Sequence, residues 1–139
     1  MLAELPLERR CAYETDLLGF PISAHPLQLL PPEIWRGATT ADRMEERIGR
    51  RVAMIGWAIA MKLIRTRKDQ RFMKFLSLED LSGTFEATLF PAAYQRFAHL
   101  TIGRGPFRLR GRVEDEQGIP SLNVMSLELL PLPGFTQEN

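Results

Sequence analysis

The fold is decided by residues 66–94, which read TRKDQRFMKFLSLEDLSGTFEATLFPAAY. Polar and apolar side chains alternate on both sides of a short Asp80-x-x-Gly83 turn, and a period of two is the mark of a β-strand. The Asp80 carboxylate can accept bonds from the turn backbone and Gly83 can adopt a positive φ, so the two runs predict a β-hairpin. Pro91 ends the second strand because it has no N–H to donate, and proline suits the first turn of a helix.

The segments around this hairpin predict a small closed barrel. A long strand over 51–66, bent at Gly56, precedes it, and a helix over 91–100 follows it. Strands over 107–114 and 119–130, joined by a turn, complete the order. Five strands with one helix between the third and fourth predict a mainly β fold, the five-stranded Greek-key OB barrel.

Two of these segments carry a more detailed expectation. We expect one face of the helix to carry Tyr94, Phe97 and Leu100. We expect one face of the fifth strand to carry Leu122, Val124 and Ser126, and the other Asn123, Met125 and Leu127.

The N-terminal third predicts a helical, proline-rich arm over 1–49 that packs on a barrel over 50–131. A helix is expected over 7–18, and the four prolines of 20–32 favour an extended connection with Ile22 and Leu27 as apolar anchors. A short helix over 40–48 follows, with Thr40 as its N-cap. Residues 132–139 are expected to form a loose tail.

Composition excludes several classes of protein. The formal net charge is +1, so a basic site must come from local clustering. The single cysteine, Cys11, permits no intramolecular disulfide, which fits a reducing compartment. No apolar run reaches the ~20 residues that span a bilayer, and residues near the N-terminus lack the basic segment and apolar region typical of a signal peptide, so we expect a cytoplasmic protein without a membrane partner. The two histidines, His25 and His99, lie in no metal-ligand spacing, so no metal or cofactor is expected.

Two motifs in order resemble one protein family. Residues 13–27, YETDLLGFPISAHPL, are similar to the segment before the OB domain of the bacterial DNA polymerase III alpha subunit, although Pro21 and Ala24 replace its usual tyrosine and glycine. Residues 73–94, MKFLSLEDLSGTFEATLFPAAY, resemble that domain's central hairpin, and Gly111-Arg112-Val113 resembles its later G-x-V strand.

The resemblance implies an OB domain from the machinery of DNA replication or repair. The family's polymerase palm has no counterpart in 139 residues, so the chain is not expected to be an enzyme. A parent protein, if there is one, would be a DNA-directed DNA polymerase. A free-standing relative and a domain excised from a longer polymerase both remain open.

A basic cluster is the first candidate site, because OB-folds bind nucleic acid with this loop and with strands two and three. Its members are Arg65, Arg67, Lys68, Arg71 and Lys74. They are accompanied by one carboxylate, Asp69, and positive side chains attract phosphates. The alternative is an ordinary solvated hairpin tip.

Two neighbouring sets extend this candidate. Phe75 and Met73 share the strand face opposite Leu76, so Phe75 could stack on a base, or be covered as a core residue. The fourth strand carries Arg108, Arg110 and Arg112 on one face. These arginines could lengthen the basic path, or form ion pairs with Glu114, Asp115 or Glu128.

Three functions follow as hypotheses. The first is a single-stranded DNA-binding module. The second is a protein-interaction module that docks on a replication or repair polymerase, with the barrel or the Leu2–Pro32 arm as the contact. Its motivation is the arm, which is too hydrophobic to be left in water. The third is an RNA or transfer-RNA binder.

Overall fold

A computed structural model of the chain describes residues 26–131. The helix predicted over 7–18, the anchor predicted at Ile22 and the tail predicted over 132–139 lie outside the described residues. The division into an arm, a barrel and a tail therefore remains a prediction.

Five strands and one α-helix make up the barrel. They are β1 (Arg51–Arg65), β2 (Phe72–Glu79), β3 (Thr84–Leu89), α1 (Pro91–Phe97), β4 (Phe107–Glu116) and β5 (Ile119–Leu129). The strands close in the order β1-β2-β3-β5-β4, and β3 runs parallel to β5 while the other pairs are antiparallel. This order, with the helix between β3 and β4, confirms the predicted OB barrel.

The strand β1 serves both sides of the barrel, as its length predicts. Its first residues pair with β4 up to Gly56, and from Trp57 onward it pairs with β2. A Cβ at Gly56 would lie 2.9 Å from both the Leu78 Cβ and the Phe85 Cζ. Glycine therefore allows β1 to pass close to these two side chains of β2 and β3 at the point where β1 changes its partner strand.

The inner faces of all five strands form one apolar core. Alternate residues such as Leu76 and Leu78 are fully buried, as their period predicts. One face of α1 and the 3₁₀ helix that follows it, Ala98–Thr101, packs against this core through Tyr94, Phe97 and Leu100. The helix predicted over 91–100 is thus confirmed, and so is its apolar face. Its last turn is a 3₁₀ helix rather than an α-helix.

A second, smaller apolar cluster lies on the outer side of β1. The extended connection predicted over 20–32 is wrong for Pro26–Leu29, which forms a 3₁₀ helix, because proline is tolerated in the first turn of a helix. A second 3₁₀ helix, Pro32–Trp35, begins at the end of that segment. Leu27 and Leu30 are buried beside Ile55, which points away from the barrel core. Leu27 is therefore an anchor, as predicted, and this part of the segment covers β1.

The helix predicted over 40–48 is a 3₁₀ helix, Ala41–Arg47. Thr40 occupies the N-cap position, as predicted, and its carbonyl oxygen accepts a bond of 2.9 Å from the N–H of Arg43. Its side chain does not cap the helix, because the Thr40 hydroxyl donates to the Asp42 carboxylate at 2.5 Å.

The cap comes instead from the central hairpin. The Oδ2 of Asp80 accepts a bond of 2.7 Å from the N–H of Ala41. Its Oδ1 accepts bonds from the backbone N–H groups of Ser82 (2.8 Å) and Gly83 (3.1 Å). The predicted role of Asp80 in the turn is confirmed, and the same buried carboxylate also attaches the linker to the barrel.

The alternation predicted for β5 is wrong beyond Val124. Arg110 pairs with Ser126 and the next residue, Gly111, pairs with Val124, so Met125 is an extra residue in the ladder. This bulge reverses the faces, and Leu127 is consequently buried in the core.

Candidate nucleic-acid interface

Residues 66–71 join β1 to β2 in a turn whose backbone is held at several points. The N–H of Thr66 donates to the carbonyl oxygen of Arg71 at 2.7 Å, and the Thr66 hydroxyl accepts from the N–H of Arg71 at 3.0 Å. The same hydroxyl donates to the Asp69 carboxylate. Gln70, at a φ of 58°, closes the turn by donating to the Thr66 carbonyl oxygen at 3.0 Å. The loop is therefore ordered before any ligand binds.

This turn presents two cations at its tip. Arg67 and Lys68 are exposed, and within residues 26–131 neither forms an ion pair. Arg71 lies 3.9 Å from Asp69. The hydrogen bond from Thr66 holds the pKa of Asp69 below its ordinary value, so this carboxylate is ionised near neutral pH. One negative charge leaves the loop with a positive excess.

Arg65 has a different environment at the base of the loop. Its guanidinium lies 4.9 Å from the centre of the Phe72 ring, a cation–π contact. The ring of Phe72 is itself 6.2 Å from that of Tyr94 in α1. Arg65 thus connects the loop to the helix while remaining exposed to solvent.

Phe75 lies on the outer face of β2, with 39% of its surface exposed. In the barrel register it is opposite Lys62 of β1 and Thr88 of β3. Met73 is half-buried on the same face, opposite Ile64. The alternative that Phe75 is a core residue does not hold, since the ring has an accessible surface beside an exposed lysine.

The outer face becomes acidic on the other side of Phe75. The Ser77 hydroxyl donates to the Glu86 carboxylate at 2.9 Å, and Glu86 is exposed. Because a carboxylate repels phosphate, this pair limits an anionic path on the side of the β2–β3 hairpin. A phosphate path on β2 would therefore run on the side of Lys62 and the 66–71 loop.

Lys74 does not join the loop cations. Its side chain lies on the inner-face side of β2, where its ammonium donates to the carbonyl oxygen of Thr101 at 3.2 Å and to the Thr101 hydroxyl at 2.9 Å. Burial lowers the pKa of Lys74 from its ordinary value. This arrangement ties β2 to the end of the 3₁₀ helix and leaves Lys74 turned away from Phe75.

The arginines of β4 divide into two groups. Arg108 contacts Glu128 at 2.8 Å and Arg110 approaches the same carboxylate at 3.8 Å, which is the ion pairing weighed as the alternative for them. Arg112 is exposed, and within the described part of the chain it forms no ion pair. It is opposite Asn123 on one side and Arg51 on the other.

Comparison with known proteins agrees with this architecture. No family model matches the chain. It is 36% identical over 132 residues to the DNA polymerase III subunit alpha of Pseudomonas fluorescens, covering 90% of this chain and 11% of that protein. It is 32% identical over 133 residues to the error-prone DNA polymerase of Symbiobacterium thermophilum, covering 93% of this chain and 12% of that protein. The chain is an OB-fold domain of the DNA polymerase III alpha subunit family.

A solved structure supports the fold of this OB domain. The OBody bound to hen egg-white lysozyme matches 68% of this chain and 92% of its own, with a TM-score of 0.54 and 13% identity. At that identity the likeness bears on the fold alone. The OB domain spans only 11–12% of the two polymerases described above.

Sequence reasoning missed one cation of the OB domain's outer face. Lys62 is exposed and opposite Phe75, but it lies in the middle of a long strand among apolar residues. The only signal for it is the register between β1 and β2, which follows once the 66–71 turn is fixed. Lys62, and not Lys74, is therefore the lysine that shares the outer face of the sheet with the Phe75 ring.

Two further observations concern other kinds of site. Among residues 26–131, no group of three or more His, Cys, Asp or Glu side chains could hold a metal ion. No helix in that same range is long and apolar enough to cross a membrane.

Proposed function

We propose that this OB domain binds single-stranded DNA across the outer face of β2, with the 66–71 loop holding phosphates. The observation that carries the proposal is the exposed ring of Phe75 beside Lys62, on the strand that begins at a loop with unpaired Arg67 and Lys68. Related proteins named DNA polymerases contain a similar segment.

Two kinds of interaction would act together at this face. A base stacked on an exposed aromatic ring contributes about 1–3 kcal/mol, and any base can supply the flat surface. Lysine and arginine attract the phosphates and release their counterions, so this part of the affinity falls as salt is added. The proposed site therefore has little sequence preference and a marked dependence on ionic strength.

We further propose that the OB domain has no polymerase activity of its own. Its match to the polymerases covers only a segment of about 130 residues, and the candidate site in the described part of the chain is a binding surface. Its contribution would be to hold a strand, in a cytoplasmic setting, for a replication or repair polymerase.

The protein-docking hypothesis has lost part of its support. It rests on the apolar arm, but Leu27 and Leu30 are buried against Ile55 of the domain's own barrel. These side chains are therefore not available to a partner. A replication or repair polymerase as a partner remains an expectation from the relatives alone.

Fluorescence anisotropy with a labelled oligothymidylate at two salt concentrations tests the proposal. We expect binding at low salt that weakens as salt is raised. An oligouridylate of the same length is the parallel probe, because stacking and phosphate attraction do not depend on the 2′-hydroxyl that distinguishes RNA. Clearly tighter binding of oligouridylate would favour the RNA hypothesis, and no binding of either at low salt would refute the proposed function.

A further inference from the structure

A second basic feature lies on the opposite end of β1. An open groove of about 550 Å³ separates residues 37–50 from the outer faces of β1 and β4. Four arginines line it: Arg47, Arg50, Arg51 and Arg110. The first three lie outside every basic cluster that is evident in the sequence.

Backbone hydrogen bonds fix the walls of this arginine groove. The N–H of Gly49 donates to the carbonyl oxygen of Val113 at 2.7 Å, and the N–H of Val113 donates to that of Arg50 at 3.0 Å. The N–H of Thr39 donates to the carbonyl oxygen of Ala53 at 2.7 Å. Residues 39–50 are thus attached by their backbone to both β1 and β4. The arginines of the groove therefore project from backbone that is held in place.

The charges of the arginine groove are largely uncompensated. Arg47, Arg50 and Arg51 are exposed and form no ion pair with any residue between 26 and 131. Among the described residues, the carboxylate that contacts a groove arginine is that of Glu128, which lies 3.8 Å from Arg110 and is also held by Arg108. Several arginines against one shared carboxylate favour a ligand with more than one negative charge.

The strand register gives the distance from Phe75 to this groove, although Thr88 in the row between them is buried and offers no surface to a ligand. Phe75 pairs with Thr88, Thr88 with Asn123, Asn123 with Arg112, and Arg112 with Arg51. The row crosses four strand-to-strand steps, and at about 4.8 Å for each step it measures roughly 19 Å around the barrel. OB-folds bind roughly 4–16 nucleotides, so one strand can occupy both ends of this row.

We propose that the arginine groove is a second phosphate-binding site, which holds the backbone of the same DNA strand beyond the site at β2. This inference rests on the proposed function. It adds a second point of attachment on the barrel, and it assigns phosphate contacts to Arg47 and Arg51.

The test compares two variants that change the net charge equally. Arg47→Gln combined with Arg51→Gln removes two positive charges from the groove. Arg96→Glu makes the same change in charge at an exposed position of α1 that belongs neither to the groove lining nor to the 66–71 loop. Binding of a labelled oligothymidylate of about 16 nucleotides, near the upper end of OB site sizes, is measured over a series of salt concentrations. A thermal melt of each variant checks that it is folded.

We expect the groove variant to reduce the slope of log affinity against log salt by about 1.4 relative to Arg96→Glu, since each lost contact on a single strand contributes roughly 0.7. Arg47→Lys combined with Arg51→Lys is expected to restore most of the slope, because it keeps the charge. If wild-type protein binds but the groove variant and Arg96→Glu have the same slope of log affinity against log salt, the groove does not contact the DNA backbone. The inference is then overturned, while the proposed function stands. If wild-type protein does not bind the oligonucleotide, both fail.

Discussion

The carboxylate of Asp80 accepts a 2.7 Å hydrogen bond from the backbone N–H of Ala41, although the two residues are 39 positions apart. One buried side chain thereby closes the β2–β3 hairpin and fixes the beginning of the 3₁₀ helix that leads to the arginine groove. The Asp80–Gly83 turn, which the sequence predicts, consequently also positions the arginine groove, for which the sequence has no obvious motif.

Replacing Asp80 with Ala should destabilise the whole domain. The change removes the buried acceptor of three part-buried hydrogen bonds, from the N–H groups of Ala41, Ser82 and Gly83, and a donor left unsatisfied away from water costs about 1–3 kcal/mol. We expect a loss in that range or above it in urea unfolding. Asp42→Ala, at an exposed position, is the control and should change stability by about 0.5 kcal/mol or less. Equal stability of the Asp80 variant and the control would contradict this account of the turn.

Phe75→Ala and Phe85→Ala should affect different properties. Phe75 is 39% exposed, so its loss should weaken DNA binding by about 1–3 kcal/mol, with the salt slope unchanged and only a small effect on the melt. Phe85 is 4% exposed and its ring fills the core beside Gly56, so its truncation should cost about 3–5 kcal/mol of stability. Anisotropy and urea unfolding on both variants separate the two roles. A large loss of stability from Phe75→Ala would show that its ring is structural.

The barrel itself could largely be predicted from sequence because it follows from local signals. Period-two alternation places Leu76 and Leu78 on one face of β2 and Phe75 on the other, and the structure buries the first two and exposes Phe75. The Asp80–Gly83 turn and Pro91 fix the ends of β2 and β3 by backbone chemistry alone.

What sequence could not give depends on contacts between distant segments. The bulge at Met125 has no turn residue that would predict it, and it reverses the faces of β5. Lys74 donates to Thr101, which lies 27 positions later, after α1, so its contact could not be predicted locally and the predicted basic cluster includes Lys74. Arg51 of β1 and Arg110 of β4 line one groove only because the barrel pairs these two strands, which is why the arginine groove gave no signal.

Gly111→Ala tests how tightly β4 and β5 are joined at that bulge. A Cβ at Gly111 would lie 2.0 Å from the carbonyl oxygen of Asn123, and backbone cannot move aside as a flexible side chain can. We expect destabilisation of about 1–3 kcal/mol or more in urea unfolding, the usual range for overpacking. Gly103→Ala is the matched control, because nothing lies within 4 Å of its Cβ position. Similar stabilities of the two variants would show that the ladder tolerates a wider spacing there.

The lowered pKa of Lys74 should make stability depend on pH. Burial disfavours its charged form, so between the depressed pKa of the folded state and the ordinary value of 10.5 the unfolded chain binds more protons at this site. The free energy of unfolding should therefore rise with pH across that window. Measured by urea unfolding at pH 7 and pH 10, the stability difference between wild type and Lys74→Met should shift in favour of wild type at the higher pH. A difference that stays constant or shifts the other way would count against a desolvated ammonium.

The central claim is that the 66–71 loop holds phosphates of a single DNA strand, and the salt dependence of binding tests it most directly. Arg67→Ala combined with Lys68→Ala should reduce the slope of log affinity against log salt for an oligothymidylate by about 1.4, at roughly 0.7 for each lost contact. Arg96→Glu, which makes the same change in net charge on α1, should leave the slope close to that of the wild type. Equal slopes for the loop variant and Arg96→Glu would contradict the claim, because the loop cations would then contribute only to the general charge of the domain.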